Sequence, residues 1–286
     1  MSITFTLWLF AVSLGASALG GVLGMASGIF IVPILIGFGG VDIHTAIVVS
    51  IVSVIACSCG GAAAFLRERL TNVRVAIVLE VATTLGAVTG VLLFGIVPTQ
   101  WLFALFALIL LLSARQMLNR RTEPVGDATA APATPSRWPS LDASYPDRDL
   151  GREIAYRVER VPLGMALMYG AGLISALLGI GSGVLKIPAM DTALRLPIKV
   201  SSATSNFMIG VTAAASGGAY FARGLIAPSL AGPVALGSVI GAALGAKALV
   251  RVPNEKLRLV FVAVLLLLAV QMALETFGIH VGRAGE

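Results

Sequence analysis

The chain has 286 residues, of which 57 % are hydrophobic and only 12 % charged, and its mean hydropathy is +0.95. A soluble domain carries about 25 % charged residues, so a water-soluble globule is excluded. The net charge of +6 comes mostly from basic residues at the ends of apolar segments, where they set membrane topology and do not form a nucleic-acid-binding face.

The first apolar stretch, 3–23, is long enough to cross a ~30 Å hydrocarbon core. It ends in small residues (Gly15 to Ala18) as a cleaved signal would, but Met1–Leu7 holds no Lys or Arg, which a signal n-region needs. It is therefore expected to stay as a span. A Gly-rich break, Gly24-Met25-Ala26-Ser27-Gly28, leads into a short apolar piece at 28–38, and longer stretches follow at 43–66, 73–97 and 100–114. Cys57 and Cys59, inside the stretch 43–66, point about 200° apart on a helix. They read as small packing residues, neither a disulfide nor a metal pair.

Residues 119–160 contain Pro124, Pro132, Pro135, Pro139 and Pro146 among Ala, Ser, Asp and Arg. That composition predicts a flexible, water-exposed cytoplasmic linker, with a short helix at 152–160 leading into the next span. Apolar sequence resumes at 161–180, breaks at Gly179-Ile180-Gly181-Ser182-Gly183, and continues as a short piece at 183–196 and long stretches at 225–249 and 257–274.

The two halves are copies. Residues 11–117 overlie 166–272 at a constant offset of 155 without a gap, so that Gly24, Ser27, Gly28 and Pro33 meet Gly179, Ser182, Gly183 and Pro188, and Ser50 meets Ser205. Gly86, Gly90, Pro98 and Gln116-Met117 meet Gly241, Gly245, Pro253 and Gln271-Met272. The expectation is an all-α polytopic membrane protein with repeats at 1–118 and 161–286, each of about four long helices plus one short broken-helix segment. If the short pieces cross, each repeat has five segments and the copies are inverted.

Charge placement favours inversion. Loop 67–74 carries Arg67, Arg69 and Arg74, and its counterpart 222–229 only Arg223; loop 96–101 has no basic residue, whereas 247–258 has Lys247, Arg251, Lys256 and Arg258. Inversion puts these clusters on the cytoplasmic side with Arg195, Lys199 and the linker arginines, leaving Arg223 and Arg283 outside with both termini.

Glycine lets the backbone leave the helix at each break, and the half-helix that follows presents a positive N-terminal end. Two such ends meeting at the midplane would hold an oxyanion through main-chain N–H groups around Ser27-Gly28 and Ser182-Gly183. The same Gly24-xxx-Gly28 and Gly179-xxx-Gly183 spacings would also serve close helix packing. The run Pro197–Asn206 is rich in hydroxyls. Ser201, Ser205 and Asn206, with Ser50 from the first copy, are candidate substrate ligands, or equally N-capping and interhelical hydrogen-bonding groups. Lys186 replaces Ile31 of the first copy. An ionisable residue at membrane depth is functional or paired, so Lys186 is a candidate charge for an anion, or the partner of Asp191. Asp191 and Glu80 are candidate proton carriers.

At these residues the sequence resembles the TauE/SafE family of sulfite exporters and organosulfonate transporters. The resemblance lies in the paired pattern of Gly-rich break, proline and long helix: Gly24–Pro33 with Ala46–Ser50, and Gly179–Pro188 with Ser201–Asn206. It covers both membrane halves but not the linker, and it departs at Ala26, Ser27 and Ser182. It implies multi-pass insertion in the bacterial inner membrane and movement of sulfite or a sulfonate such as sulfoacetate. The expected partners are a small anion and the lipid bilayer, with a homodimer compatible with both. No metal-ligand cluster, phosphate loop or Ser/His/Asp set is present, so neither a cofactor nor an enzyme activity is expected. A passive anion channel, or an accessory protein without a substrate, are the alternative functions.

Overall fold

Helix boundaries fall where glycine, proline and short polar runs interrupt the apolar stretches. In this computed structural model, residues 2–23, 26–67, 70–118, 141–147, 152–249 and 254–277 are described. The first half forms α1 (Ile3–Leu23), α2 (Gly28–Gly37), α3 (Ile43–Arg67), α4 (Val73–Leu93) and α5 (Thr99–Leu118). The second forms α6 (Val161–Leu178), α7 (Gly183–Leu194), α8 (Ile198–Ala222), α9 (Pro228–Leu249) and α10 (Asn254–Thr276). From α2 onward each helix starts 155 residues before its counterpart.

Among the described residues, α1, α4, α5, α6 and α9 contain apolar windows of 18 residues or more, long enough to cross a bilayer. α4 shows how one helix serves lipid and protein together. Ile77, Val81, Leu85, Val88 and Leu92 recur at helical spacing and are exposed, forming a face that suits acyl chains. The opposite face, with Leu79, Thr83, Gly86 and Gly90, is buried. The fold is that of an all-α polytopic membrane protein.

The halves pack crosswise. α1 lies along α9, and α4 along α6. A Cβ on Gly86 would run into the Tyr169 carbonyl and one on Gly90 would lie 2.5 Å from the Leu173 carbonyl oxygen; equally, Gly241 and Gly245 abut the carbonyls of Leu14 and Ala18. These contacts advance together along both chains, so α4 and α6 run in the same direction, as do α9 and α1. The carbonyl-to-glycine approach is the small-residue packing by which membrane helices gain van der Waals contact without a hydrophobic drive. α4 and α8 also run in the same direction, since Asn72 meets Thr204 and Glu80 meets Thr212 eight residues on. Between α3 and α8 the order reverses. A Cβ at Gly210 would lie 2.6 Å from Ser58 Oγ, whereas one at Gly217 faces Ile55 and Ile51. These equivalent helices therefore have opposite directions.

One expectation is corrected by the described part of the connection between halves. Residues 152–156 form a strand, not the start of a helix, and pair antiparallel with Ala143–Asp147. The reason is side-chain anchoring. Leu141, Val158 and Tyr156 join a cluster with Val75, Leu79, Met190, Leu194 and Met208, and an alternating strand can turn such groups onto a helical surface. Asn72 fixes the hairpin: its amide donates to the Leu141 carbonyl at 3.0 Å and to the Tyr156 hydroxyl at 2.9 Å. Its Oδ1 accepts from Val75 N at 3.1 Å and so caps α4. Burial pushes the Tyr156 phenol up, and the Asn72 bond partly opposes this. Residues 119–140 and 148–151 of the connection lie outside the described residues.

The α3–α4 turn, the hairpin and the α7–α8 turn thus gather at one end of the molecule. The opposite end gathers His44, Phe94 and Tyr220, with rings 5.1 Å and 4.9 Å apart, and Arg223, which donates to the Val91 carbonyl. Arg223 and Arg195 thus lie at opposite ends. Asn72→Ala is expected to leave the Leu141 carbonyl buried and unmet, at a cost of about 1–3 kcal/mol, and to release the half-buried Tyr156 hydroxyl. Trypsin should then cut at Arg152 or Arg157 faster in the variant than in the wild type, with cleavage followed by mass spectrometry in detergent.

Candidate functional site: the crossing of the two breaks

Both half-helices begin at Ser-Gly, the point where glycine releases the preceding helix. Gly179 closes α6 in the left-handed conformation (φ 67°), its N–H donating to the Ser175 carbonyl at 2.9 Å, and Gly181 is also left-handed at φ 71°. α7 then starts at Gly183, and Leu185 N and Lys186 N donate to the Ser182 carbonyl at 3.1 and 2.8 Å. α2 repeats this: Phe30 N and Ile31 N donate to the Ser27 carbonyl at 3.1 and 3.2 Å. Pro33 and Pro188 lie inside the half-helices. Gly24 and Met25 lie outside the described residues.

The two breaks touch. A Cβ on Gly28 would collide with the Gly179 carbonyl oxygen, and one on Gly181 with Ala26 Cβ; both glycines also face Val54 of α3. The crossing lies level with Ile47–Val54, within the first half of α3 and away from either end of that helix.

The candidate hydroxyls divide by repeat. In the first half they are paired: Ser27 Oγ meets Ser53 Oγ at 2.7 Å, and Ser53 Oγ meets Ser238 Oγ at 2.5 Å, a buried chain joining α2, α3 and α9. Ser50 Oγ lies 2.8 Å from the Gly179 carbonyl and 2.7 Å from that of Ile47. In the second half, Ser182 Oγ and Ser205 Oγ are buried, and neither has a hydrogen-bond partner among the described residues. Ser205 Oγ would lie 3.8 Å from a Cβ on Gly183, which puts it beside the start of α7. A buried hydroxyl without a partner costs free energy. Ser201 and Asn206, also buried, are on the same helix. Ser201 is a full turn nearer the hairpin and its Oγ is 3.4 Å from the Leu196 carbonyl.

Lys186 is fully buried. Its partner is Glu80 of α4, not Asp191: Nζ lies 3.5 Å from Glu80 Oε2 and donates to Thr212 Oγ1 of α8 at 2.6 Å. Asp191 is five residues along α7, and such residues do not share a face as i, i+3 and i, i+4 do. Thr212 in turn donates to Glu80 Oε1 at 2.6 Å. Sequence reading missed Thr212, although it continues the polar stripe Ser201–Ser205 at helical spacing. It also missed Asn72, Ser238 and Gln271, whose side chain donates to the Pro33 carbonyl at 3.0 Å and packs on Gly37 of α2. Among the described residues there is no cluster of His, Cys, Asp and Glu able to hold a metal ion.

This geometry defines a class: a helical membrane protein with two broken helices crossing at depth, where buried polar atoms face inward. The family model for the sulfite exporter TauE/SafE matches residues 9–272, and the chain belongs to that family. It is also similar to the probable membrane transporter protein YunE of Bacillus subtilis (strain 168), with 23 % identity over 268 residues, 91 % of this chain and 94 % of that one. No solved structure matches. The chain is thus a multi-pass member of a membrane transporter family.

Proposed function

We propose that the protein is a secondary transporter of small sulfur-containing anions, sulfite or organosulfonates such as sulfoacetate, in the bacterial inner membrane. It works by alternating access between two inverted repeats. Inversion is supported by the opposite directions of α3 and α8 and by the crosswise pairing of α1 with α9 and α4 with α6. Inverted-repeat transporters place their site near the midplane, where discontinuous helices aim N-terminal ends at anionic groups.

The observation that carries the reading is the pair of unpartnered hydroxyls, Ser182 Oγ and Ser205 Oγ, buried beside the N-terminus of α7. A sulfonate or sulfite oxygen there would accept from both, and from main-chain N–H groups at Gly183 and, across the crossing, around Ser27-Gly28. Ser50, Ser201 and Asn206 complete the polar surround, and Lys186 supplies positive charge. Asp191, at the far end of α7, is the weaker of the two proposed proton carriers.

A thermal-shift screen of sulfite, sulfate, thiosulfate, sulfoacetate and taurine tests this. At least one sulfur oxyanion is expected to raise the melting temperature. Ser182→Ala/Ser205→Ala should lose most of that shift, because hydrogen bonds to a charged group contribute about 1.5–3 kcal/mol each. A panel that shifts nothing, or a shift kept in full by the double variant, rejects this site.

A further inference from the structure

Lys186 is not free to meet an anion in this conformation, because Glu80 and Thr212 hold it. The arrangement belongs to one side only. The positions 155 residues away are Ile31 for Lys186, Cys57 for Thr212 and Ala235 for Glu80, so duplication left no second copy of it. A buried ammonium and a buried carboxylate together are neutral. An added anion would leave the trio with a net negative charge in a low-dielectric setting, which is strongly unfavourable.

From this we propose that Glu80 is the counterion that must take up a proton before Lys186 can serve the anion, so that one proton accompanies each monovalent anion. This rests on the anion-transport reading above. The two ion-pair members differ in access: the Glu80 side chain is 12 % exposed and that of Lys186 0 %. A hydronium ion on the open side gives up its proton: its O–H bond breaks, a Glu80 carboxylate oxygen gains the hydrogen, and water is left. Thr212 has the geometry for the exchange. With Glu80 ionised its hydroxyl donates to Oε1 at 2.6 Å; with Glu80 protonated the carboxyl becomes the donor, and the hydroxyl can turn to the Met208 carbonyl at 3.0 Å. Lys186, its charge no longer neutralised, then balances the anion. Release of anion and proton on the other side restores the pair. Net charge in the site is the same before and after, so the cycle is electroneutral for a monovalent anion.

Other groups around Glu80 do not substitute for it. α7 presents Lys186 and α8 presents Thr212, while Thr84 Oγ1, on its own helix, lies 3.4 Å from Oε1. From α6, Tyr169 is bonded to Thr89, more than two turns away along α4. Asp191 has an interaction of its own.

Calorimetric titration of the purified protein with sulfite, methanesulfonate and isethionate between pH 6 and 8.5 tests the proposal. The two sulfonates stay ionised throughout, so any pH dependence of their binding belongs to the protein. Wild-type Kd is expected to weaken about tenfold per pH unit wherever Glu80 of the free protein is ionised, with one proton taken up per anion in buffers of different ionisation enthalpy. Glu80→Gln should bind with a flat profile at the wild type's low-pH affinity, and Glu80→Asp should restore the slope. A flat wild-type profile, or a slope retained in Glu80→Gln, overturns the counterion role while leaving anion binding intact. If Glu80→Gln fails to fold, the wild-type slope and proton count decide. Absence of binding by all three anions would instead reject the anion reading and this inference with it.

Discussion

Lys186→Ala should abolish thermal stabilisation by sulfur oxyanions and lower the protein's own melting temperature substantially. Two effects add. The anion loses its compensating charge, and Glu80 is left in a buried place without its partner. Breaking a buried ion pair from one side costs about 3–5 kcal/mol, far more than the pair is worth intact. The double variant Lys186→Met/Glu80→Gln separates the two, since it removes both charges. It should regain most of the melting temperature but none of the anion response. Stabilisation by anions that survives in Lys186→Ala would take Lys186 out of the site.

Gly181→Ala should be nearly as damaging without touching a charge. Gly181 holds φ 71°, and a methyl there meets Ala26 Cβ from the other break. The left-handed backbone alone costs an L-residue about 1–2 kcal/mol, and overpacking a tight contact adds about 1–3 kcal/mol. Gly40 provides the control. It has φ 60° but open space around it, so Gly40→Ala bears only the backbone cost. The melting temperature of Gly181→Ala should fall clearly below that of Gly40→Ala, with loss of the anion shift. Equal melting would mean that the two breaks do not press together, and the crossing would lose its claim to be a built site.

The repeat and the breaks were legible in the sequence because both are local. A Ser-Gly step after a glycine-rich run ends one helix and starts the next, and the offset of 155 carried that punctuation from the first half to the second. The starts of α2 and α7 at Gly28 and Gly183 follow from it. Crossing of the breaks could be expected from symmetry, and the contacts of Gly28 with Gly179 and Gly181 with Ala26 realise it. What could not be read was which polar side chain meets which. Asp191 looked the nearer mate for Lys186 because it is close along the chain, yet Glu80 comes from another helix 106 residues away. Likewise Ser27, Ser50, Ser182 and Ser205 look alike at matched positions. Only packing distinguishes the first two, bonded within the protein, from the last two, which are not. The hairpin at 143–156 was hidden for a different reason. Its proline and charges signal exposed chain, and the few apolar anchors, Leu141, Tyr156 and Val158, acquire meaning only against the end of α4 held by Asn72.

The most direct test of the transporter reading is uptake of labelled sulfite and sulfoacetate into proteoliposomes containing the purified protein, with and without an imposed pH gradient. Saturable uptake above that of protein-free vesicles, accelerated by the gradient, is the predicted result. Uptake of both anions indistinguishable from protein-free vesicles would contradict the account, and saturating uptake indifferent to the gradient would replace coupled transport by a passive pore.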